Sequence, residues 1–133
     1  MADITRTVGA TTGSSSTFAA ALTWMQNSAN YNRTTDDVGV FQLVDAQEFN
    51  ESNLDINGFT GAATSTKYIR IECTAGVRHD GTYNTAKARV RGNTNGEHVF
   101  VLGEDFIHVR HLAVQQNSTG SSDECFRVEA NNK

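Results

Sequence analysis

Chemistry in this chain has to come from a short roster of side chains. His108 and His111 stand three residues apart. On a helix that spacing can aim two imidazoles at one metal ion, but on a strand positions i and i+3 face opposite sides. The pair therefore chelates nothing unless Arg110-His111 forms a corner. His79-Asp80 reads as a solvated turn, and His98 opens a strand with no partner nearby in sequence. Acidic residues cluster at Asp36-Asp37, Asp45 with Glu48, Glu104-Asp105 and Asp123-Glu124. Glycoside hydrolysis needs two carboxyl groups about 5–10 Å apart. Each of these clusters lies in or beside a predicted turn, where Asp and Glu are ordinary. Gly-x-Ser-x-Gly, a Gly-Lys-Ser/Thr phosphate loop and Cys-x-x-Cys do not occur. Cys73 and Cys125 sit in apolar alternations, YIRIECT and ECFRVEA, and read as packed thiols rather than a disulfide. The reading is a chain with no catalytic residue, no cofactor and no metal site.

Contact residues are a different matter. Most aromatic residues fall at core-facing positions, but Tyr31 and Tyr83 fall in polar loops where a ring can meet a sugar or a protein. With Arg110 and Arg127 they are the candidate contacts to a partner or a glycan. Nucleic acid is not expected, because 15 acidic residues outnumber 11 basic ones and the basic footprint of a phosphate binder is missing. No run approaches the roughly 18 apolar residues of a membrane span. The opening MADITRTVGATTGSSS lacks the apolar core of a signal peptide, so synthesis in a cytoplasm is expected.

These residues must be positioned by 133 residues, a single domain by length, with 38 % apolar composition and mean hydropathy −0.44. Proline is absent, so turns fall to Gly, Asn, Asp, Ser and Thr. One segment predicts a helix, residues 17–28. Phe18, Ala21, Leu22 and Met25 recur at i, i+3, i+4 and i+7, with Ser16 or Thr17 as N-cap. Before it, residues 1–16 read as an N-terminal arm or strand and a loop. After it the pattern is strand-like over 38–130: VGVFQLV, a shorter alternation at Leu54 and Ile56, KYIRIECT, AKARVRG, the long β region 97–117 with bends at Gly103–Asp105 and near Arg110-His111, and ECFRVEA. Val40, Ile69, Phe100 and Phe126 head similar apolar strands at spacings of 29, 31 and 26 residues. A repeat of that order, with no intervening helix, predicts the stacked coils of a β-solenoid.

The stretch ITRTVG, a Ser/Thr loop and STFAAALTWMQ resembles the N-terminal cap of right-handed parallel β-helix proteins. HVFVLGEDFIHVRHLAV (98–114) resembles a pair of their consecutive strands. The group in question is the pectate-lyase-like structural proteins of tailed bacteriophages. The resemblance implies an all-β fold, a short right-handed parallel β-helix of about three to four coils with an N-terminal capping α-helix. It implies a non-enzymatic virion protein, made in the host cytoplasm and acting as capsid decoration or as part of a fibre or tail. Its partners would be copies of itself as a homotrimer and other virion proteins such as the major capsid protein. The rival reading is a module that binds or depolymerises host surface glycans. An assembly role is favoured by the C-terminus, where CFRVEANNK offers no helix to cover an open strand edge.

Overall fold

A computed structural model describes residues 2–82, 84–117, 120 and 123–129. The chain opens with β1 (Ile4–Val8) and one helix, α1 (Phe18–Gln26), followed by β2 (Gly39–Leu43), β3 (Glu48–Asn50), β4 (Leu54–Ile56) and β5 (Ile69–Cys73). A short 3₁₀ turn at Ala75–Val77 leads to β6 (Arg89–Gly92), β7 (Phe100–Leu102), β8 (Ile107–Arg110), β9 (Ala113–Gln116) and β10 (Phe126–Val128). Every pairing is parallel. The strands form a four-stranded sheet, β1-β2-β5-β8, and two three-stranded sheets, β3-β6-β9 and β4-β7-β10.

This arrangement corrects the fold expected from the sequence. In place of an all-β right-handed β-helix of about three to four equivalent coils, the structure has three separate small parallel sheets and one helix. The spacing misleads because the strands it matches are not equivalent. Val40 and Ile69 lie in the four-stranded sheet, whereas Phe100 and Phe126 pair with each other in another. Ile69 is in register with Ile107, not with Phe100. The first unit is also not a strand-only turn of chain. The N-terminal segment, expected as an arm or strand and a loop, supplies the strand β1, which pairs with β2 over its whole length, and α1 is the connection between these two parallel neighbours.

Local chemistry explains why the elements are short. Thr17 caps α1, its hydroxyl accepting from the Ala20 amide at 3.1 Å, and the Glu51 carboxylate accepts from the Phe18 and Ala19 amides at 2.7 Å each. A carboxylate is the right group there, since the helix N-terminus carries unpaired N–H groups and partial positive charge. The helix ends at Asn27 and buries Phe18, Ala21, Leu22 and Met25. Strands of three to five residues are cut off by left-handed residues, Asn53 (φ 53°) before β4 and His111 (φ 55°) between β8 and β9.

Inward-facing positions alternate along each strand and line up across each sheet. In the four-stranded sheet Arg6, Phe41, Ile71 and Val109 share one column, and Val8, Leu43 and Cys73 another. In the β4-β7-β10 sheet the columns are Leu54–Phe100–Phe126 and Ile56–Leu102–Val128. Aromatic rings join the layers. Phe18 stacks on Phe41 with centroids 5.0 Å apart and meets Phe100 edge-on at 5.3 Å. Gly39 permits a close approach inside the core, because a Cβ there would fall within 2.9 Å of Met25, Tyr31 and Ile69. No helix among the described residues is long and apolar enough to cross a membrane.

Candidate functional site: the terminal strand edge

Each sheet ends in one of the three C-terminal strands, β8, β9 and β10. There the core columns lose their cover. Leu54 and Phe100 are buried, but Phe126, third in that column, is 38 % exposed. Ile56 is buried and Leu102 half-buried, but Val128 is 77 % exposed. Phe106, immediately before β8, is 48 % exposed. The exposed large apolar side chains among the described residues are these three, and all belong to this edge. Phe126 lies on Phe100, 5.5 Å between centroids and nearly parallel.

Phe106 also has φ 55°. For a bulky residue this left-handed conformation is an outlier costing roughly 1–2 kcal/mol. Asn53 adopts the same conformation as part of a turn that suits its short polar side chain.

Arg127, on β10, is exposed and places Nη1 3.1 Å from His98 Nε2 and Nε 3.6 Å from Glu129. Guanidinium only donates, so His98 must accept at Nε2 and carry its proton on Nδ1. That nitrogen faces Glu124 at 3.6 Å. Arg110, at the end of β8, is exposed and in register with Glu72. It stands in a different sheet from Arg127.

Tyr31 corrects an expectation. Read as a loop residue open to a sugar, it is fully buried, its ring edge-on to Phe59 at 6.1 Å and its hydroxyl 3.4 Å from the carbonyls of Asp37 and Tyr68. Burial raises its pKa, partly offset by Arg33. The polar segment ANYNRTTDD gave no hint that its one tyrosine faces inward. Tyr83 lies outside the described residues.

The acidic clusters are taken up structurally. Asp45 accepts from the Thr11 amide at 2.7 Å, the Thr12 amide at 3.1 Å and the Thr12 hydroxyl, which lowers its pKa. Glu48 pairs with Arg89 at 3.0 Å and Arg91 at 3.3 Å. Asp36 accepts from the Asn32 amide, and Asp123 from the Gly96 amide. Glu104 pairs with Arg33 at 3.1 Å. Arg33 is the buried polar residue that sequence reasoning missed. It is 1 % exposed, bonds the Gly61 carbonyl at 3.1 Å and lies over the Phe59 ring. Its Nε and Nη2 make no hydrogen bond. No signal in a run of Asn, Thr and Asp could have marked it as buried.

The thiols remain apart as free cysteines. Burial, with Glu72 adding and Arg78 partly offsetting, pushes Cys73 up to about 12. It is therefore an uncharged, unreactive thiol at neutral pH. His108 stacks on Tyr68 at 4.3 Å, while His111 occupies the corner after β8. No group of three or more His, Cys, Asp or Glu side chains among the described residues is placed to hold a metal ion. What the geometry offers is a strand edge with apolar side chains on it. Compared with family models, with curated proteins and with solved structures, the chain matches none.

Proposed function

We propose that the chain is a non-enzymatic structural protein of a bacteriophage virion, working by protein–protein packing as capsid decoration or as part of a fibre or tail. The observation that supports this is the terminal edge. Phe126 and Val128 continue inward-facing apolar columns and yet stand exposed on the last strand of their sheet. Unpaired strand edges with apolar side chains favour association, and natural chains that stay monomeric blunt them. Here the packing surface would be β8 to β10. The virion setting rests on the sequence patterns of residues 4–26 and 98–114 alone.

The test is location on a particle. The full chain, labelled and mixed with purified virions, is expected to co-sediment with them, and a cryo-EM map is expected to show density for it with the β8–β10 edge covered. A chain that ignores particles but binds or shortens host surface polysaccharide would overturn the proposal in favour of a glycan-active module.

A further inference from the structure

The hydrogen-bonding sides of β10 can be assigned. The Glu129 amide donates to the Leu102 carbonyl at 3.0 Å, and the Phe100 amide donates to the Cys125 carbonyl at 3.1 Å. Alternate residues of a parallel strand face the same neighbour, so Cys125, Arg127 and Glu129 address β7. Phe126 and Val128 therefore turn their amide and carbonyl groups to the open side. Their side chains point inward in the columns headed by Leu54 and Ile56. The edge thus offers backbone partners and uncovered apolar surface at the same two residues.

The charges on β10 say what fits. Arg127 and Glu129 flank Val128 and share the outward face, since side chains alternate along a strand. Lay a second β10 antiparallel against the first, with the two-fold axis at Val128. Val128 then meets its own copy as a hydrogen-bonded pair, and each Arg127 stands opposite the other copy's Glu129. Opposite charges directly across a ladder stabilise it and like charges do the reverse. The pattern Arg-Val-Glu is its own complement in that register. Head-to-tail stacking would instead press β10 on the far edge of the molecule, where α1 packs against β1 and β4.

We propose that β10 is a two-fold self-docking edge, pairing antiparallel with β10 of a second copy about Val128. The inference rests on the assembly reading and deepens it. It replaces the trimer expected from the resemblance with a closed, isologous pair.

Sedimentation of the full chain over a range of concentrations is expected to show a monomer–dimer equilibrium. Arg127→Glu and Glu129→Arg are each expected to weaken the dimer about tenfold, from two like-charge contacts. Mixed together, these two variants are expected to recover wild-type affinity as a heterodimer, because each strand then supplies the charge the other lacks. Since Arg127 also holds His98, a second measurement stands independent of it. Val128→Cys is expected to cross-link to itself under mild oxidation, the roughly 5.5 Å Cα separation of a hydrogen-bonded antiparallel pair suiting a disulfide. A wild-type chain that stays monomeric, a trimeric mass, or a mixture that shows no recovery together with no Val128→Cys cross-link would each overturn the proposal. A chain that is monomeric in solution yet found singly on particles would overturn self-docking and leave the assembly role standing.

Discussion

Phe18 and Phe126 both pack on the Phe100 ring from opposite neighbours and meet different fates. At the helix side Phe18 comes down from α1 onto Phe41 and Phe100, and all three rings are completely buried. At the other side Phe126 adds the next ring to Phe100 and remains exposed. Inward orientation is therefore set by the strand's alternation, whereas burial depends on whether another element arrives to cover it. α1 arrives because the chain between β1 and β2 is long enough to hold a helix. Beyond β8, β9 and β10 the described residues supply no further strand.

Truncating equivalent rings at the two ends should break the comparison most sharply. Phe18→Ala is expected to cost about 4 kcal/mol of unfolding free energy, the usual loss for emptying a packed aromatic site. Phe126→Ala is expected to cost about 1 kcal/mol, since one face of that ring already meets solvent. Urea unfolding of both variants measures the difference. Equal losses would mean that the terminal edge is covered after all.

Glu104 tests the same contrast in polar form. Removing it by Glu104→Ala leaves the Arg33 guanidinium buried and without its counter-ion, with two N–H sites already unbonded. Stranding a buried charge costs about 3 kcal/mol. Glu129→Ala, on the exposed edge, loses an ion pair in which both partners are half exposed. Such a pair is worth about 0.5 kcal/mol or less. Thermal melts of the two variants rank them directly.

The helix that closes one end has its own weak point. Glu51→Gln keeps an acceptor near the Phe18 and Ala19 amides but removes the charge that the helix N-terminus favours. A loss of about 1 kcal/mol is expected in denaturant unfolding. A loss below the error of the measurement would assign the capping to Thr17 alone.

How much of this was legible in the sequence divides along the same line. The apolar stripe Phe18, Ala21, Leu22, Met25 marks both the helix and its buried face, because period and burial are local properties. Most strands lie inside the alternating segments for the same reason. Sheet membership is not local. The segment 97–117 reads as a β region bent near Gly103–Asp105 and Arg110-His111, and the chain does break there, at left-handed Phe106 and His111, but that its pieces β7, β8 and β9 join three different sheets is not written locally. Nothing about a phenylalanine announces φ 55°. The spacing of Val40, Ile69, Phe100 and Phe126, within five residues of constant, resembles a repeat because apolar strand starts do not say which sheet each joins. At the candidate edge, the alternation in CFRVEA marks the strand that forms β10, whereas Tyr31 misled because a polar neighbourhood in sequence is no guide to a ring that folds back onto Phe59.

The smallest expected effect is one of pH, at two carboxylates that titrate with opposite signs. Asp45 holds the loop after β1 through the Thr12 hydroxyl and the Thr11 and Thr12 amides, and these bonds lower its pKa below the ordinary 3.8. A carboxylate that is more acidic when folded stabilises the fold above its unfolded pKa, and that contribution is lost as pH falls through the folded value. Asp55, on β4, runs the other way. Partial burial raises its pKa, and the charges of Glu129 and Glu104 raise it further. Its ionised form therefore opposes folding, and protonation relieves the cost as pH falls through the raised value. Acidification from neutrality should first ease the sheet that carries β10 and only below 3.8 release the loop held by Asp45. Amide-proton NMR is expected to show the Thr11 and Thr12 protection surviving until below pH 3.8 and then falling. Asp45→Asn should remove that step. Asp55→Asn should raise stability slightly at neutral pH and leave the Thr11 and Thr12 step in place. Loss of Thr11 and Thr12 protection well above that pH would show that the loop is not held by the Asp45 carboxylate.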